Sequence, residues 1–397
     1  MLAGLPALAA AAGMPLPGTT WQLVAIQSMD DAQGTTKIKQ PRDFTLAFGQ
    51  DGRATLRLDC NRGMADYRIT PAADGSSGGL TFGPIAATRA LCPPPHLDNR
   101  IARDMARRFI DREIVPHLHD WEKAGIVPRD VWLKAGAAGL LCSCVPEEYG
   151  GAGGDYGHSA VMIEELARVN GTAVGFTTHS EIVANYLVAY GSEEQKQKWL
   201  PGMVSGETIG VIAMSEPGAG SDLRSMRTTA RREGDEYVIN GQKTFITNGG
   251  NADLVVAAVK LDPASKNLTL ICVEVDRPGF SKGRLLEKVG LKGQDTAELF
   301  FDEVRVPVSN RLAEENEGFN YLFHQLAWER LIIAIRSAQS IDTLLEETIA
   351  YTRERKAFGK AILDYQNTRF KLADAKAQAT MLRVFVDHCL AQALAGE

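Results

Sequence analysis

With 397 residues, 45% of them apolar and 23% charged, the chain has the size and composition of an ordinary globular protein of two or three domains. A formal charge of −6 supplies neither a basic footprint for nucleic acid nor a polybasic patch for an anionic membrane, and no apolar run approaches the length of a membrane span. Six cysteines are too sparse for a disulfide scaffold, and no paired C-x-x-C zinc pattern is present.

Residues 1–16 resemble the apolar half of a signal peptide but lack the basic n-region, so a frayed or disordered terminus is expected. Residues 21–26, 44–48, 54–58, 67–70 and 80–82 carry β-favouring side chains, and Asp51-Gly52 marks a hairpin turn between the second and third. Composition changes near residue 97. Glycine-rich and proline-rich stretches, 74–79 and 92–95, precede the change, and the first glutamate in the chain is Glu113. Helical spacing then predicts helices over 97–114, 130–139, 159–168 and 193–199. Within the apolar stretch 140–145, Cys142 and Cys144 read as small buried hydrophobes. His117 and His119, two apart on a helix, face different sides and do not form a metal pair.

Strand signals dominate from about 208 to 307. Residues 236–239 and 243–247 flank Asn240-Gly241, read as a two-residue hairpin turn, and 254–259 and 268–275 are further β runs. Two long helices follow, roughly 315–353 and 365–395. On the second, Leu372, Ala375, Ala379, Leu382, Phe385, Val386 and Cys389 predict one core-facing stripe. The expected fold class is multidomain α+β: a small N-terminal β domain, an α-helical domain, a β-barrel-like domain and an incomplete C-terminal helical bundle.

Two resemblances sharpen this reading. Gly18-Thr19-Thr20-Trp21-Gln22-Leu23, Asp59-Cys60-Asn61-Arg62, Tyr67 and Thr88-Arg89-Ala90-Leu91-Cys92-Pro93 resemble the META domain, the HslJ-like family, over residues 17–95. Asp59 stands where that family usually has glycine. The resemblance implies an envelope protein with little assigned chemistry, and a Cys60–Cys92 bridge only in an oxidising compartment.

The remainder, about three quarters of the chain, resembles the acyl-CoA dehydrogenases. The motifs are Pro146-Glu147-Glu148-Tyr149-Gly150-Gly151, Ala213-Met214-Ser215-Glu216-Pro217-Gly218-Ala219-Gly220-Ser221-Asp222, Asn240-Gly241-Gln242-Lys243-Thr244-Phe245-Ile246-Thr247-Asn248-Gly249 and Arg353-Glu354-Arg355-Lys356-Ala357-Phe358-Gly359-Lys360, in that order. It implies an N-terminal α domain over 97–207, a middle β domain over 208–312 and a C-terminal α domain over 313–397. It also implies FAD as cofactor. A flavin needs fixed donors along its polar edge, and the resemblance assigns Ile212, Met214, Ser215, Phe245 and Thr247 to the isoalloxazine. Ser215 stands where the family more often has threonine. Gly218 and Gly220 permit close backbone approach, with no third glycine and no βαβ unit for a dinucleotide fold. Gly220 and Ser221 fall to the cofactor loop, with Ser221 also on the CoA part of the substrate. Arg355, Phe358 and Gln366 match cofactor contacts, Arg355 reaching the FAD pyrophosphate of a neighbouring subunit.

The reaction so implied is α,β-dehydrogenation of acyl-CoA thioesters, for which a desolvated carboxylate removes the α-proton. Most family members carry that glutamate beyond the region where this chain stops. The isovaleryl and long-chain types place it directly before an arginine, and Ala327-Trp328-Glu329-Arg330-Leu331 matches them. Glu329 is therefore the expected base and Arg330 a substrate-side arginine, with longer acyl chains favoured. The resemblance implies an electron-transfer flavoprotein as partner and a homo-oligomer, dimer or tetramer. It places the enzyme in the cytoplasm, against the envelope implied by the META-like start. Ending at Glu397, the chain is expected to lack the last part of the bundle, which leaves open an inactive truncated fusion or META-type envelope protein. An acyl-CoA oxidase is the other open alternative.

Overall fold

The computed structural model describes residues 16–27, 35–38, 40–58, 61–71, 78–82, 86–87 and 97–396. Cys60, Cys92 and the 88–93 motif lie outside the described residues. The N-terminal region holds β1 (Thr20–Gln22), β2 (Ala25–Gln27), β3 (Thr35–Lys37), β4 (Phe44–Phe48), β5 (Arg53–Leu58), β6 (Asn61–Pro71), β7 (Gly78–Phe82) and β8 (Ala86–Ala87). The strand order is β1-β4-β5-β6-β7, with β8 on β6 and a separate β2-β3 pair. The expected Asp51-Gly52 turn is present, Phe48 standing opposite Ala54. The single strand expected over 21–26 is split at Leu23-Val24, because its first part pairs with β4 and its second with β3.

The helical region runs α1 (Leu97–Phe109), α2 (Leu118–Ala124), α3 (Arg129–Ala137), α4 (Tyr156–Arg168), α5 (Ala184–Tyr190) and α6 (Glu193–Ser205). Side chains close two helix starts: Asp155 accepts from the Gly157 and His158 amides, and Ser192 accepts from Gln195. A wide π turn, Thr178–Val183, leads into α5. Its His179 is fully buried. Nδ1 accepts from the Gly210 amide at 3.0 Å and Nε2 donates to the Met203 carbonyl at 3.0 Å, so one neutral ring joins this turn to α6 and the next strand. Glu165, 1% exposed, ties α4 to α1 through Arg103 and Arg107.

Two four-stranded sheets follow: β10 (Thr229–Glu233), β11 (Glu236–Thr247), β15 (Thr296–Pro307) and β14 (Phe280–Leu285) form one, in that order. The other is β16 (Arg311–Leu312), β13 (Thr269–Glu274), β12 (Leu254–Val259) and β9 (Gly210–Ala213), with β9 parallel to β12. Val211, Ile239, Val255, Ile271 and Val304 fill the space between the sheets. The opposite face of the second sheet, with Leu254, Val256 and Leu270, packs on Leu200 and Met203 of α6. Every residue of β12 is therefore buried, which explains its unbroken apolar run.

Two long helices close the chain, α7 (Gly318–Glu354) and α8 (Gln366–Ala395), joined through the short pair β17 (Lys356–Ala357) and β18 (Lys360–Ala361). No described helix is long and apolar enough to cross a membrane.

Two expectations need correction. Asn240-Gly241 is not a hairpin turn: it lies inside β11, whose edges are taken by β10 and β15, and the turn between β10 and β11 falls at Gly234-Asp235. The register slips between Ile239 and Gly241, where the Asn240 amide bonds both the side chain and the amide of Glu303, at 2.7 and 3.0 Å. Phe385 is not in the core but 64% exposed beside Met381 and Val384, because α8 presents only a narrow stripe centred on Ala379 and Val386 to its neighbours. Cys142 is fully buried in the main apolar core, as expected, and Cys144 is partly buried; their sulfurs also meet polar groups, Cys142 at 3.5 Å from His179 Nε2 and Cys144 at 3.3 Å from the Ser159 hydroxyl.

The bulge makes a test. At Gly241, φ is +148° and a Cβ would lie 2.7 Å from the Thr228 Cα, whereas at Gly234 a Cβ meets open space. Gly241→Ala is expected to cost about 3 kcal/mol and Gly234→Ala about 1 kcal/mol. Equal losses in thermal unfolding would show that Gly241 is an ordinary turn glycine.

Candidate functional site

The site begins where β9 ends and β11 bends. Alternation along β11 drives Lys243 inward, to 1% exposure, where an unpaired ammonium is costly. Its Nζ donates to Glu216 Oε1 at 2.8 Å and to the Met214 carbonyl at 3.1 Å. Burial lowers the lysine to about 8, and Glu216 opposes that shift. Burial likewise pushes Glu216 up, but Lys243 and the amides of Thr228 and Arg227 more than offset it and leave the carboxyl below its usual range. The Thr244 amide donates to the Ser215 carbonyl at 2.9 Å. Met214, Ser215 and Glu216 are thus each tied to β11.

Beyond Lys243 the strand slips register a second time, before Ile246. Phe245 takes the left-handed conformation, φ +60°, and its ring is 68% exposed. Two residues past Ile246, Asn248 is again left-handed and fully buried, its side chain donating to the Gly175 carbonyl at 2.8 Å. Ile212, Met214, Ser215 and Thr247 are half-buried around this bend. Gly218 and Gly220 stand in an exposed loop with open space where a Cβ would be.

Ser221 lines a pocket of about 220 Å³ with Arg224, Phe319, Leu322, Phe323 and Leu326. The Arg224 guanidinium lies 4.7 Å from the centroid of the Phe319 ring. The four α7 residues recur at helical spacing, and the next positions on that face are Glu329 and Arg330. Glu329 is half-buried, and Tyr186 of α5 donates its hydroxyl to Glu329 Oε1 at 3.0 Å. Burial raises the Glu329 carboxyl above its ordinary value, while Tyr186 and the Arg330 charge pull the other way. The preceding residue, Trp328, is buried and stacked on Tyr156 at 3.9 Å.

The sequence-predicted residues therefore fall into three groups. Ile212, Met214, Ser215, Phe245 and Thr247 share one edge of the β domain, and Ser221 shares the face of α7 that leads to Glu329 and Arg330. Arg355, Phe358 and Gln366 stand apart and exposed, Phe358 at 99% with φ +50°. Arg355 lies roughly 39 Å of helix beyond Glu329. Sequence reasoning missed Tyr186, Lys243 and Glu216 as parts of the site. A lysine among alternating apolar strand residues was the one available signal.

Four family models match the chain. Those of the acyl-CoA dehydrogenase N-terminal, middle and C-terminal domains cover residues 97–207, 211–304 and 316–397, and that of the META domain covers 14–109. The chain is 46% identical to the long-chain specific acyl-CoA dehydrogenase of Sus scrofa mitochondria, over 74% of this chain and 69% of that protein. It is 36% identical to the isovaleryl-CoA dehydrogenase of Pongo abelii mitochondria, over 75% and 74%. The crystal structure of an acyl-CoA dehydrogenase from Geobacillus kaustophilus superposes with a TM-score of 0.75 at 46% identity, covering 78% of this chain and 82% of that one. With the α, β, α order, the motifs and these relatives in agreement, the chain belongs to the acyl-CoA dehydrogenase family and carries a META domain ahead of the dehydrogenase segment.

Proposed function

We propose that the chain desaturates acyl-CoA thioesters between the α and β carbons, with FAD as oxidant and Glu329 as the base. The observation that carries this reading is the environment of Glu329. Its carboxyl is desolvated enough to be a stronger base than a surface glutamate, yet one tyrosine hydroxyl keeps its anion accessible. The Ser221 pocket, continuous in helical spacing with Glu329, supports entry of the thioester along α7. The kinship to long-chain and isovaleryl enzymes supports a long or branched acyl group.

The edge around Ser215 and Thr247 fits a flavin. An exposed aromatic, Phe245, is held in a strained conformation beside half-buried polar residues, and the glycine loop next to it is open. Bound there, FAD supplies the hydride acceptor. Met214, Ser215 and Thr247 hold its edge, Lys243 fixes the backbone that carries them, and Glu329 takes the α-proton. Arg355, Phe358 and Gln366, exposed and remote from Glu329, suit contact with the cofactor of a second copy in a homo-oligomer. An electron-transfer flavoprotein would then serve as the electron acceptor.

Glu329→Gln is expected to lower flavin bleaching by palmitoyl-CoA or isovaleryl-CoA about 10²- to 10⁴-fold; undiminished bleaching would sink the base assignment. Because the base acts deprotonated, activity rises with pH through its pKa. Tyr186→Phe removes a donor to the anion, raises that pKa and moves the acid limb of kcat/KM up by about 0.5–1 pH unit. A shift to lower pH would contradict the hydrogen bond's role. Lys243→Met leaves Glu216 buried without its cation. It is expected to cost about 3 kcal/mol and to accelerate FAD loss, followed by flavin fluorescence. Wild-type retention of FAD would show that the ion pair does not position the site.

A further inference from the structure

Arg224 has no part in the mechanism above, yet it borders the Ser221 pocket. It rides on a short 3-10 turn, Leu223–Ser225, just past the glycine loop. Hydrogen bonds close that turn at its start. The Ser225 amide donates to the Asp222 carbonyl at 3.1 Å, and the Ser225 hydroxyl donates to the Asp222 carboxylate. Asp222 also lines the pocket, but its carboxylate is engaged by Ser225. Among the described residues, Arg224 has no salt-bridge partner; what it has is Phe319, whose ring centroid lies 4.7 Å from the guanidinium carbon.

Stacking on an aromatic ring holds a guanidinium by its face. Its edge of N–H donors stays free, and that planar fork matches the oxygens of a phosphate. The cation is therefore placed but not neutralised, beside a wall of Phe319, Leu322, Phe323 and Leu326 that is apolar. Helix α7 supplies the scale. Phe319 stands ten residues before Glu329, about 15 Å along the helix axis, and Leu326 is within one turn of it. In a CoA thioester about 13 bonds run from the sulfur to the first phosphorus, roughly 15 Å at the rise of an extended backbone. With the α-carbon at Glu329, a pantetheine arm laid along this wall brings the pyrophosphate level with Phe319 and Arg224.

We propose that Arg224 binds the pyrophosphate of the CoA carrier and sets the preference for CoA thioesters over phosphate-free thioesters of the same acyl group. The arginine donates through its N–H edge to phosphate oxygens while Phe319 holds its face, and the apolar wall takes the pantetheine. A carrier without phosphate forgoes this contact and binds more weakly. The inference rests on the dehydrogenase reading, which supplies the place of the thioester beside Glu329.

The test is calorimetric binding to the full chain of the octanoyl thioesters of pantetheine, 4′-phosphopantetheine, 3′-dephospho-CoA and CoA, with flavin bleaching recorded separately. The wild type is expected to bind the two pyrophosphate carriers about tenfold or more tightly than the pantetheine thioester. That advantage shrinks as NaCl is raised. Arg224→Met, which still covers Phe319 but carries no charge, is expected to remove most of it. Arg224→Lys, with the charge but not the fork, is expected to keep part. A wild type without the preference, or a preference that survives Arg224→Met, overturns the assignment, as does uniform weakening of all four ligands. Dependence on Arg224 that appears only between 3′-dephospho-CoA and CoA also overturns it, because the contact then belongs to the 3′-phosphate. Carrier selectivity without bleaching leaves the subsite standing and counts against the dehydrogenase reading; bleaching without selectivity does the reverse.

Discussion

The geometry of the β-domain edge depends on one ammonium group placed where water cannot reach it. Lys243 must find a charge and an acceptor inside the sheet, and it finds Glu216 and the Met214 carbonyl. Both lie on the segment that leaves β9. A buried pair contributes little net stability, because desolvation consumes most of the attraction, but it discriminates strongly between arrangements. Any slide of the Met214–Glu216 segment along β11 strands two charges. The Met214–Glu216 backbone, Ser215 included, is thereby fixed to hydrogen-bond precision through the Met214 carbonyl and the Glu216 side chain, which suits the rigid cofactor edge proposed there.

The helical side works on a different principle. Glu329 is half-buried without a salt bridge, and a single phenol donates to it, with the Arg330 charge next along the helix. A full salt bridge would hold the carboxylate ionised but make it a poor proton acceptor, and complete burial would leave it protonated. Partial burial with one neutral donor sits between these limits. The same α7 face carries Phe319, Leu322, Phe323 and Leu326 one to three turns earlier, so one helix both lines the Ser221 pocket and carries the carboxylate.

Most of the architecture was legible in the sequence because periodicity and burial agree there. The two terminal helices, the fully apolar β12 and the Asp51-Gly52 hairpin all follow from local pattern. Asn240-Gly241 misled for a physical reason: a turn dipeptide makes a hairpin only when its flanking strands are free to pair with each other, and β10 and β15 had already taken both edges of β11. Phe385 misled because a helix records its apolar residues without recording how much of that face a neighbour covers. The candidate site was legible through motifs that mark Ser215, Thr247 and Glu329. Tyr186 was not, since a tyrosine on a helix carries no signal until α5 and α7 pack together.

Strand parity explains why the bend at Phe245 has to be strained. Lys243 and Ile246 are both buried, yet they are three positions apart, and an unbroken strand would send them to opposite faces. One inserted residue restores the parity, and the register slip between Lys243 and Ile246 is that insertion. The extra residue must leave the β region, and Phe245 does so at φ +60°, a conformation that costs about 1–2 kcal/mol for a side chain without polar atoms. Glycine would remove that cost. What the aromatic adds is its ring, turned out of the sheet beside Ser215 and Thr247, where the fold gives it no partner of its own. The strain thus falls at the point of β11 where an exposed apolar ring stands next to fixed polar groups, the edge at which a flavin is proposed to bind.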